Sequence, residues 1–307
     1  MPKDWKSSRY SSVRAVILQF LLKLNRRFWE GRQDIPVAEA RRRFDKLAKQ
    51  IPKRRLNITL SEQWLDGVPL TWFKPLRNDP ARVVLYLPGG AFIAGAPTTT
   101  HLDLISRLAL KCGISFVAVD YRKAPENPFP AALDDVFAAY SALLQGYPAN
   151  AISVAGDSAG GCLALALGLK LRDEKLEMPG KFVALSPVTD LAGTGSSLLQ
   201  NRQTDAMVPA WLINPLADLY APGSDLTLPY ISPLYGDFSG FPSTLIQVSD
   251  TEVLLDDARR VADKMRAAGV TVQLDVWHQL PHVWQAFAAV LPEGRAAIKD
   301  IADFLNR

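Results

Sequence analysis

The chain has 307 residues, enough to bury the core of one large α/β domain or of a core with a small subdomain. Apolar residues make up 48% and charged residues 21%, as is usual for a soluble globular protein, and the formal net charge is +4. No apolar run approaches the roughly 18–20 residues that a membrane-spanning helix needs. The apolar run at 15–22 is interrupted by Gln19 and lacks the cleavage site of a secretory signal.

The two cysteines, Cys112 and Cys162, are too few for a disulfide framework. Cys162 falls in an apolar helical pattern, where a buried and reduced thiol is expected. Together with the lack of a secretory signal, this predicts a cytoplasmic protein.

The N-terminal segment is basic. Residues 1–55 contain 16 Lys/Arg and 5 Asp/Glu, whereas the rest of the chain is net acidic. Such a segment suits nucleic-acid binding, a membrane-surface contact, or an amphipathic helix packed on the protein body with its basic face in water. The amphipathic helix is favoured, because six apolar residues share one helical face: Val13, Val16, Ile17, Phe20, Leu21 and Leu24. A weak membrane-surface contact is the next alternative. No nucleic-acid partner is expected.

Residues 57–65 and 68–73 predict a β-hairpin, since Asp66-Gly67 supplies the positive φ angles of a tight turn. Beyond it, β-rich runs alternate with helical patterns, which predicts an α/β fold with a mostly parallel sheet covered by helices on both faces. Ligands gather at the carboxyl ends of such strands. The predicted strands are 83–87, 115–119, 151–155, 182–185, 244–248 and 272–276; the predicted helices are 101–110, 131–144, 162–171, 256–267 and 295–305.

Two segments do not fit the alternation, residues 1–50 and residues 189–235. Helices that cover the site would account for both. We therefore predict N-terminal cap helices in 1–50 and a catalytic domain over 51–307, with a cap insertion at about 189–235.

The sequence GDSAG at residues 156–160 places a nucleophile. It lies between the predicted strand at 151–155 and the following helix, where Gly156 and Gly160 remove two Cβ atoms and leave Ser158 on a strained, accessible bend. This strand–turn–helix context is the α/β-hydrolase pattern, in which the triad follows the order Ser, acid, His.

That order excludes His101 as the base, because it precedes Ser158. Of the remaining histidines, His282 is preferred over His278, since it lies in the loop after the last strand and before an aromatic-rich helix start.

The acid should follow the strand at 244–248, where four carboxylates are available. Asp256 and Asp257 fit the first turn of the next helix, where carboxylates favour the positive dipole end. Asp250 and Glu252 remain, and spacing alone does not separate them.

The oxyanion donors should come from two places. The backbone N–H of Ala159 directly follows the nucleophile, and the loop after the strand at 83–87 offers Gly89, Gly90 and Ala91, with Gly89 shaping the loop.

Four motifs carry a resemblance to a known family: YLPGGAF at 86–92, DYRKAPENPFPAA at 120–132, GDSAGG at 156–161 and PHVW at 281–284. In this order they resemble the hormone-sensitive-lipase family of bacterial esterases. The resemblance implies a cap built from the two segments that break the alternation, and it selects Glu252 as the acid. The chain departs from the family where His-Gly-Gly-Gly is replaced by Pro88-Gly89-Gly90-Ala91.

Residues and resemblance together predict a serine carboxylesterase for short- to medium-chain acyl esters. Ser158 is expected to be the nucleophile, His282 the base and Glu252 the orienting acid. The expected partner is a small ester, with no metal and no cofactor, and a homodimer is left open. An amidase or deacetylase with the same triad is the alternative, followed by a non-catalytic ligand-binding protein.

Overall fold

The computed structural model describes residues 11–27, 35–50, 57–65 and 67–307. Its strands are β1 (Ile58–Leu65), β2 (Val68–Pro75), β3 (Asp79–Leu87), β4 (Ile114–Val119), β5 (Ile152–Asp157), β6 (Lys181–Leu185), β7 (Thr244–Ser249) and β8 (Val272–Trp277). Its α-helices are α1 (Val13–Arg26), α2 (Val37–Gln50), α3 (Leu102–Cys112), α4 (Ala131–Leu143), α5 (Ala159–Asp173), α6 (Ser197–Gln200), α7 (Ile213–Tyr220), α8 (Leu255–Ala267) and α9 (Pro292–Leu305).

The eight strands form one sheet in the order β1-β2-β4-β3-β5-β6-β7-β8. β2 pairs antiparallel with β1 and with β4, and all other neighbours are parallel. Every residue of β4 and of β7 is buried, as expected for strands covered on both faces. The predicted α/β fold with a mostly parallel sheet is confirmed.

The predicted hairpin is present as β1 and β2. Gly67 has φ 84°, the left-handed conformation that the tight turn requires, while Asp66 lies outside the described residues. β1 is the edge strand and is mostly exposed, whereas β2 is mostly buried.

The core lies on both sides of the sheet, with α4, α5 and α8 on one face and α3 and α9 on the other. α5 is buried along nearly its whole length. Small residues allow its close packing, since a Cβ at Gly168 would lie 2.6 Å from the ring of Phe241 and 2.8 Å from that of Phe182. The helix that begins after Ser158 is therefore held rigidly.

The predicted packing of the N-terminal apolar face is wrong. α1 forms, but Val13 is 74% exposed and Phe20 is 62% exposed. The buried residues of α1 are Ala15 and Leu22, which pack on a cluster that includes Trp284. α1 has apolar residues around most of its circumference. The side that packs on the body is the one with Ala15, because this small residue allows a close approach. The side with the largest apolar residues faces outward.

α6 and α7 lie between β6 and β7, within the segment predicted as a cap insertion. No described helix combines the length and apolar character needed to cross a bilayer.

Candidate active site

Ser158 lies at the turn between β5 and α5, with φ 52° and ψ −119°. Few non-glycine residues adopt such dihedrals, and they are typical of strained functional turns. Glycines make the turn possible, because a Cβ at Gly156 would overlap the carbonyl of Gly160 and a Cβ at Gly160 would overlap the carbonyl of Leu87. Ser158 is partly exposed although its neighbours on both sides are buried.

Glu252 and His282 form a buried pair, with Glu252 Oε2 2.6 Å from His282 Nδ1. Glu252 Oε1 accepts hydrogen bonds from the Ser249 N–H at 2.7 Å and the Ser186 hydroxyl at 2.9 Å. Burial alone would lower the pKa of His282, but the hydrogen bond and charge of Glu252 outweigh burial and raise that pKa above its usual 6.5. Nδ1 faces a carboxylate, so it carries the proton of the neutral imidazole and leaves Nε2 as the acceptor.

The other candidate acids have different partners. Asp250 Oδ2 lies 2.6 Å from His278 Nδ1, and Asp250 Oδ1 accepts the Gln279 N–H at 2.8 Å. Asp256 and Asp257 accept hydrogen bonds from backbone N–H groups in the segment after β6. The structure thus brings Glu252 to His282 and Asp250 to His278.

Ser158 and His282 line the same cavity, whose volume is about 200 Å³. No hydrogen bond joins their side chains in the described part of the chain; in unliganded enzymes such contacts often form only with substrate bound. Most of the remaining lining is apolar and comes partly from α2 and from the segment between β6 and β7: Ala40, Phe44, Leu47, Met207, Val208, Leu212 and Leu216.

The loop after β3 presents backbone donors to this cavity. The N–H of Gly89 donates to Asp157 Oδ1 at 3.1 Å and is already used. Within the described residues, the N–H groups of Gly90 and Ala91 donate to no protein acceptor. Ala159 opens α5, where N–H groups have no partner one turn back. Gly90, Ala91 and Ala159 therefore offer the N–H groups that an oxyanion needs.

Asp157 holds this loop in place, a role that sequence reasoning missed. Its carboxylate accepts hydrogen bonds from the Tyr86 hydroxyl at 2.8 Å and from Gly89, and it lies 3.2 Å from His101 Nε2. Burial alone would raise the pKa of Asp157, but His101 and the hydrogen bonds lower it below its usual value, so Asp157 is ionised. The only sequence signal was its position beside Ser158.

Pro88 stands where the related family has histidine, yet the loop is braced from another side. The Tyr121 hydroxyl donates to the Pro88 carbonyl at 2.6 Å. Ala91 has φ 54° and Phe92 φ 57°, so both adopt the left-handed conformation that favours glycine. The loop therefore carries backbone strain at Ala91 and Phe92.

Asp205 connects the segment between β6 and β7 to the loop of Glu252, and sequence reasoning missed this residue too. It accepts backbone N–H groups from Met207 and Val208 at 2.8 and 2.9 Å and from Val253 at 2.9 Å. Burial and then the charge of Glu252 raise the pKa of Asp205 above its usual value. No local motif marks this residue.

The described residues contain no cluster of three or more His, Cys, Asp or Glu side chains able to hold an ion.

The chain is similar to known proteins in both sequence and fold. A family model described as an alpha/beta hydrolase fold matches residues 84–286. An acetyl-hydrolase of Streptomyces hygroscopicus is 41% identical over 236 residues, which cover 76% of this chain and 78% of that protein. A solved esterase of the bacterial hormone-sensitive lipase family superposes with a TM-score of 0.90 at 36% identity, covering 97% of this chain and 98% of that one.

This chain belongs to the α/β-hydrolase family, in its bacterial hormone-sensitive-lipase branch. The predicted resemblance is confirmed, and with it the predicted class of enzyme. The protein is a serine esterase that acts on carboxylic esters. A further solved member, an esterase soaked with p-nitrophenyl butyrate, superposes with a TM-score of 0.89 at 33% identity and covers 96% of this chain and 98% of its own.

Proposed function

We propose that Ser158, His282 and Glu252 form the catalytic triad and that the esterase works through an acyl-enzyme intermediate on Ser158. The observation that carries the proposal is the buried pair of Glu252 Oε2 and His282 Nδ1 at 2.6 Å, in an apolar cavity that Ser158 also lines. A serine hydroxyl is a weak nucleophile near neutrality, and an adjacent oriented base overcomes this.

In the first half of the reaction, Ser158 Oγ attacks the ester carbonyl while His282 Nε2 takes its proton. His282 then returns the proton to the departing alcohol, and Glu252 stabilises the imidazolium in between. In the second half, water gives its proton to His282 and attacks the acyl-enzyme, and the carboxylic acid leaves as Ser158 regains its proton.

The negative charge of each tetrahedral intermediate falls on the former carbonyl oxygen. We assign its stabilisation to the N–H groups of Gly90, Ala91 and Ala159, with Gly89 and Asp157 holding the loop. One such donor is worth roughly 2.7–4 kcal/mol of barrier lowering in well-studied hydrolases.

The size and walls of the cavity support short- to medium-chain acyl groups. Its volume of about 200 Å³ is small beside the roughly 300–1,000 Å³ of sites for drug-sized ligands. Phe44 and Leu47 of α2 and Leu212 and Leu216 after β6 supply an apolar lining that suits an acyl chain. The acetyl-hydrolase name of one relative, and the butyrate ester used with another, agree with short acyl groups.

We also propose that residues 1–50 and about 189–235 form the cap. The support is that both α2 and residues 207–216 contribute walls to the cavity. Cys112 and Cys162 are both buried and unpaired, which supports the proposed cytoplasmic location.

A series of p-nitrophenyl esters with acyl chains from two to sixteen carbons tests the proposal. We expect kcat/KM to peak among the short and medium chains and to fall for the longest, because a cavity of about 200 Å³ has too little room for them. Ser158→Ala and His282→Ala should each lower turnover by several orders of magnitude, since a triad acts as a unit. A rate maximum on long-chain emulsified triglyceride would overturn the substrate assignment, and an active Ser158→Ala variant would overturn the triad.

A further inference from the structure

The outward face of α1 is the largest run of exposed apolar side chains on one described element. All six residues of this face exceed 40% exposure, from 74% at Val13 to 44% at Leu24. At 1.5 Å per residue the face is about 17 Å long. Contiguous exposed apolar surface of this kind marks an interaction site. We call it the α1 outer face: Val13, Val16, Ile17, Phe20, Leu21 and Leu24.

The outer face points away from the body because α1 is fixed from behind. Ser12 caps the helix, and its backbone N–H donates to Glu293 at 2.5 Å. Ala15 and Leu22 are buried on the opposite side. The helix therefore cannot bury its outer face by rolling, because that would expose the inner contacts.

The charge of α1 indicates what covers the outer face. Between residues 12 and 27 the chain has four cations and no carboxylate, with Arg14 and Arg27 exposed on the surface. Two copies packed through this face would bring like charges together, which is unfavourable. An anionic lipid surface instead pairs with the cations and accepts the apolar side chains.

A groove beside the outer face has the same mixed character. Its volume is about 310 Å³. α1 contributes Val16, Gln19, Phe20 and Lys23, and the opposite wall carries Thr204, Thr251 and Gln279. A cation next to apolar side chains suits a phosphate headgroup whose acyl chains lie along the helix.

We propose that α1 is an interfacial helix that docks this esterase on an anionic phospholipid bilayer, with the outer face among the acyl chains and the basic residues at the phosphates. The inner side of α1 packs in the same apolar cluster as Leu47, Met207 and Phe287, which also line the catalytic cavity. Docking would thus place the lipid surface on the helix that backs the wall of the acyl site.

Co-sedimentation of the full chain with vesicles tests the proposal without any substrate. The wild-type protein should bind vesicles of phosphatidylcholine with phosphatidylglycerol, bind pure phosphatidylcholine much less, and dissociate at high salt. The double variant Ile17→Gln/Phe20→Gln should lose at least about tenfold in partition coefficient, because it removes two large apolar side chains from the interface. Arg14→Gln/Arg27→Gln should weaken binding by about tenfold and reduce its salt dependence.

The matched control is Leu60→Gln/Leu76→Gln, which removes two exposed apolar side chains from the β1–β2 edge and should bind vesicles like wild type. All variants should hydrolyse soluble p-nitrophenyl butyrate at the wild-type rate, which establishes folding independently of lipid binding. Equal vesicle binding by wild type and Ile17→Gln/Phe20→Gln would overturn the proposal. So would a dimer in sedimentation equilibrium that the same variant dissociates, because the face would then join two copies of this chain.

Discussion

At the scale of single residues, two carboxylate–histidine pairs lie on the loops after β7 and β8, and only one of them reaches the cavity. Glu252 and His282 are both buried, and His282 lines the cavity with Ser158. The pair of Asp250 and His278 is partly exposed. A buried carboxylate acts on its partner through a low dielectric, whereas an exposed one is screened by water.

This difference predicts the pH dependence of the esterase. In the proposed triad, His282 must be neutral to accept the proton of Ser158, so activity should fall as the pH drops through the pKa of His282. Because Glu252 raises that pKa, the acid limb of kcat/KM should lie above the usual histidine value of 6.5. Glu252→Gln removes the charge and should move the acid limb to lower pH while also reducing kcat. The measurement is kcat/KM for p-nitrophenyl butyrate across the pH range.

Asp250→Asn is the matched control for that profile. It removes a carboxylate from the same loop, but from the pair that does not reach the cavity, and should leave the acid limb and kcat near wild type. A larger loss of kcat in Asp250→Asn than in Glu252→Gln would assign the acid to Asp250.

At the scale of elements, strand–helix alternation predicted most of the fold, and the GDSAG motif predicted the turn that holds Ser158. Buried parallel strands are continuous apolar runs, and strand–helix alternation leaves few topologies. The packing of α1 was mispredicted because periodicity identifies an apolar face without identifying what that face contacts. Asp157 and Asp205 were missed for a related reason: their partners, such as Tyr86 and Val253, are 71 and 48 residues away in the chain.

The contacts of Asp205 predict that the segment between β6 and β7 positions the proposed triad as well as enclosing the cavity. Asp205→Asn should disturb the Val253 N–H contact, because the amide NH₂ cannot accept it, and should lower kcat by about tenfold. The charge of Asp205 also helps to raise the pKa of His282, so the variant should shift the acid limb of kcat/KM to lower pH. A purely structural role would not move that limb.

Asp225→Asn provides the control for this prediction. Asp225 also accepts a backbone N–H two residues along the chain, but it lies on an exposed turn away from the cavity. It should change neither kcat nor the pH profile. Unchanged kinetics in Asp205→Asn would show that the loop of Glu252 is held without this contact.

At the scale of the whole molecule, the catalytic core and the proposed cap contribute different parts of the site. The carboxyl edge of the sheet presents the turn of Ser158 and the loops of Glu252 and His282, while α2 and residues 207–216 close the cavity above them. α2 is attached to the core by Arg41, which donates to the Ile93 carbonyl at 2.8 Å and pairs with Glu126 at 2.6 Å. The cavity therefore depends on contacts between segments far apart in the chain.

Deletion of residues 1–50 should consequently raise KM for medium-chain esters. It should lower kcat for acetate esters by a smaller factor. The deletion removes Phe44 and Leu47 from the lining of the proposed acyl site but leaves Ser158 and His282 in place. It should also reduce solubility, because it uncovers the apolar cluster around Trp284 that the inner side of α1 shields. Deletion of residues 1–10, which ends before α1, is the control and should retain wild-type kinetics.

Arg41→Ala keeps both helices and should show a smaller KM increase of the same kind, so it reports on α2 even if the larger deletion aggregates. An unchanged KM profile in both variants would mean that α2 does not bound the acyl site in solution.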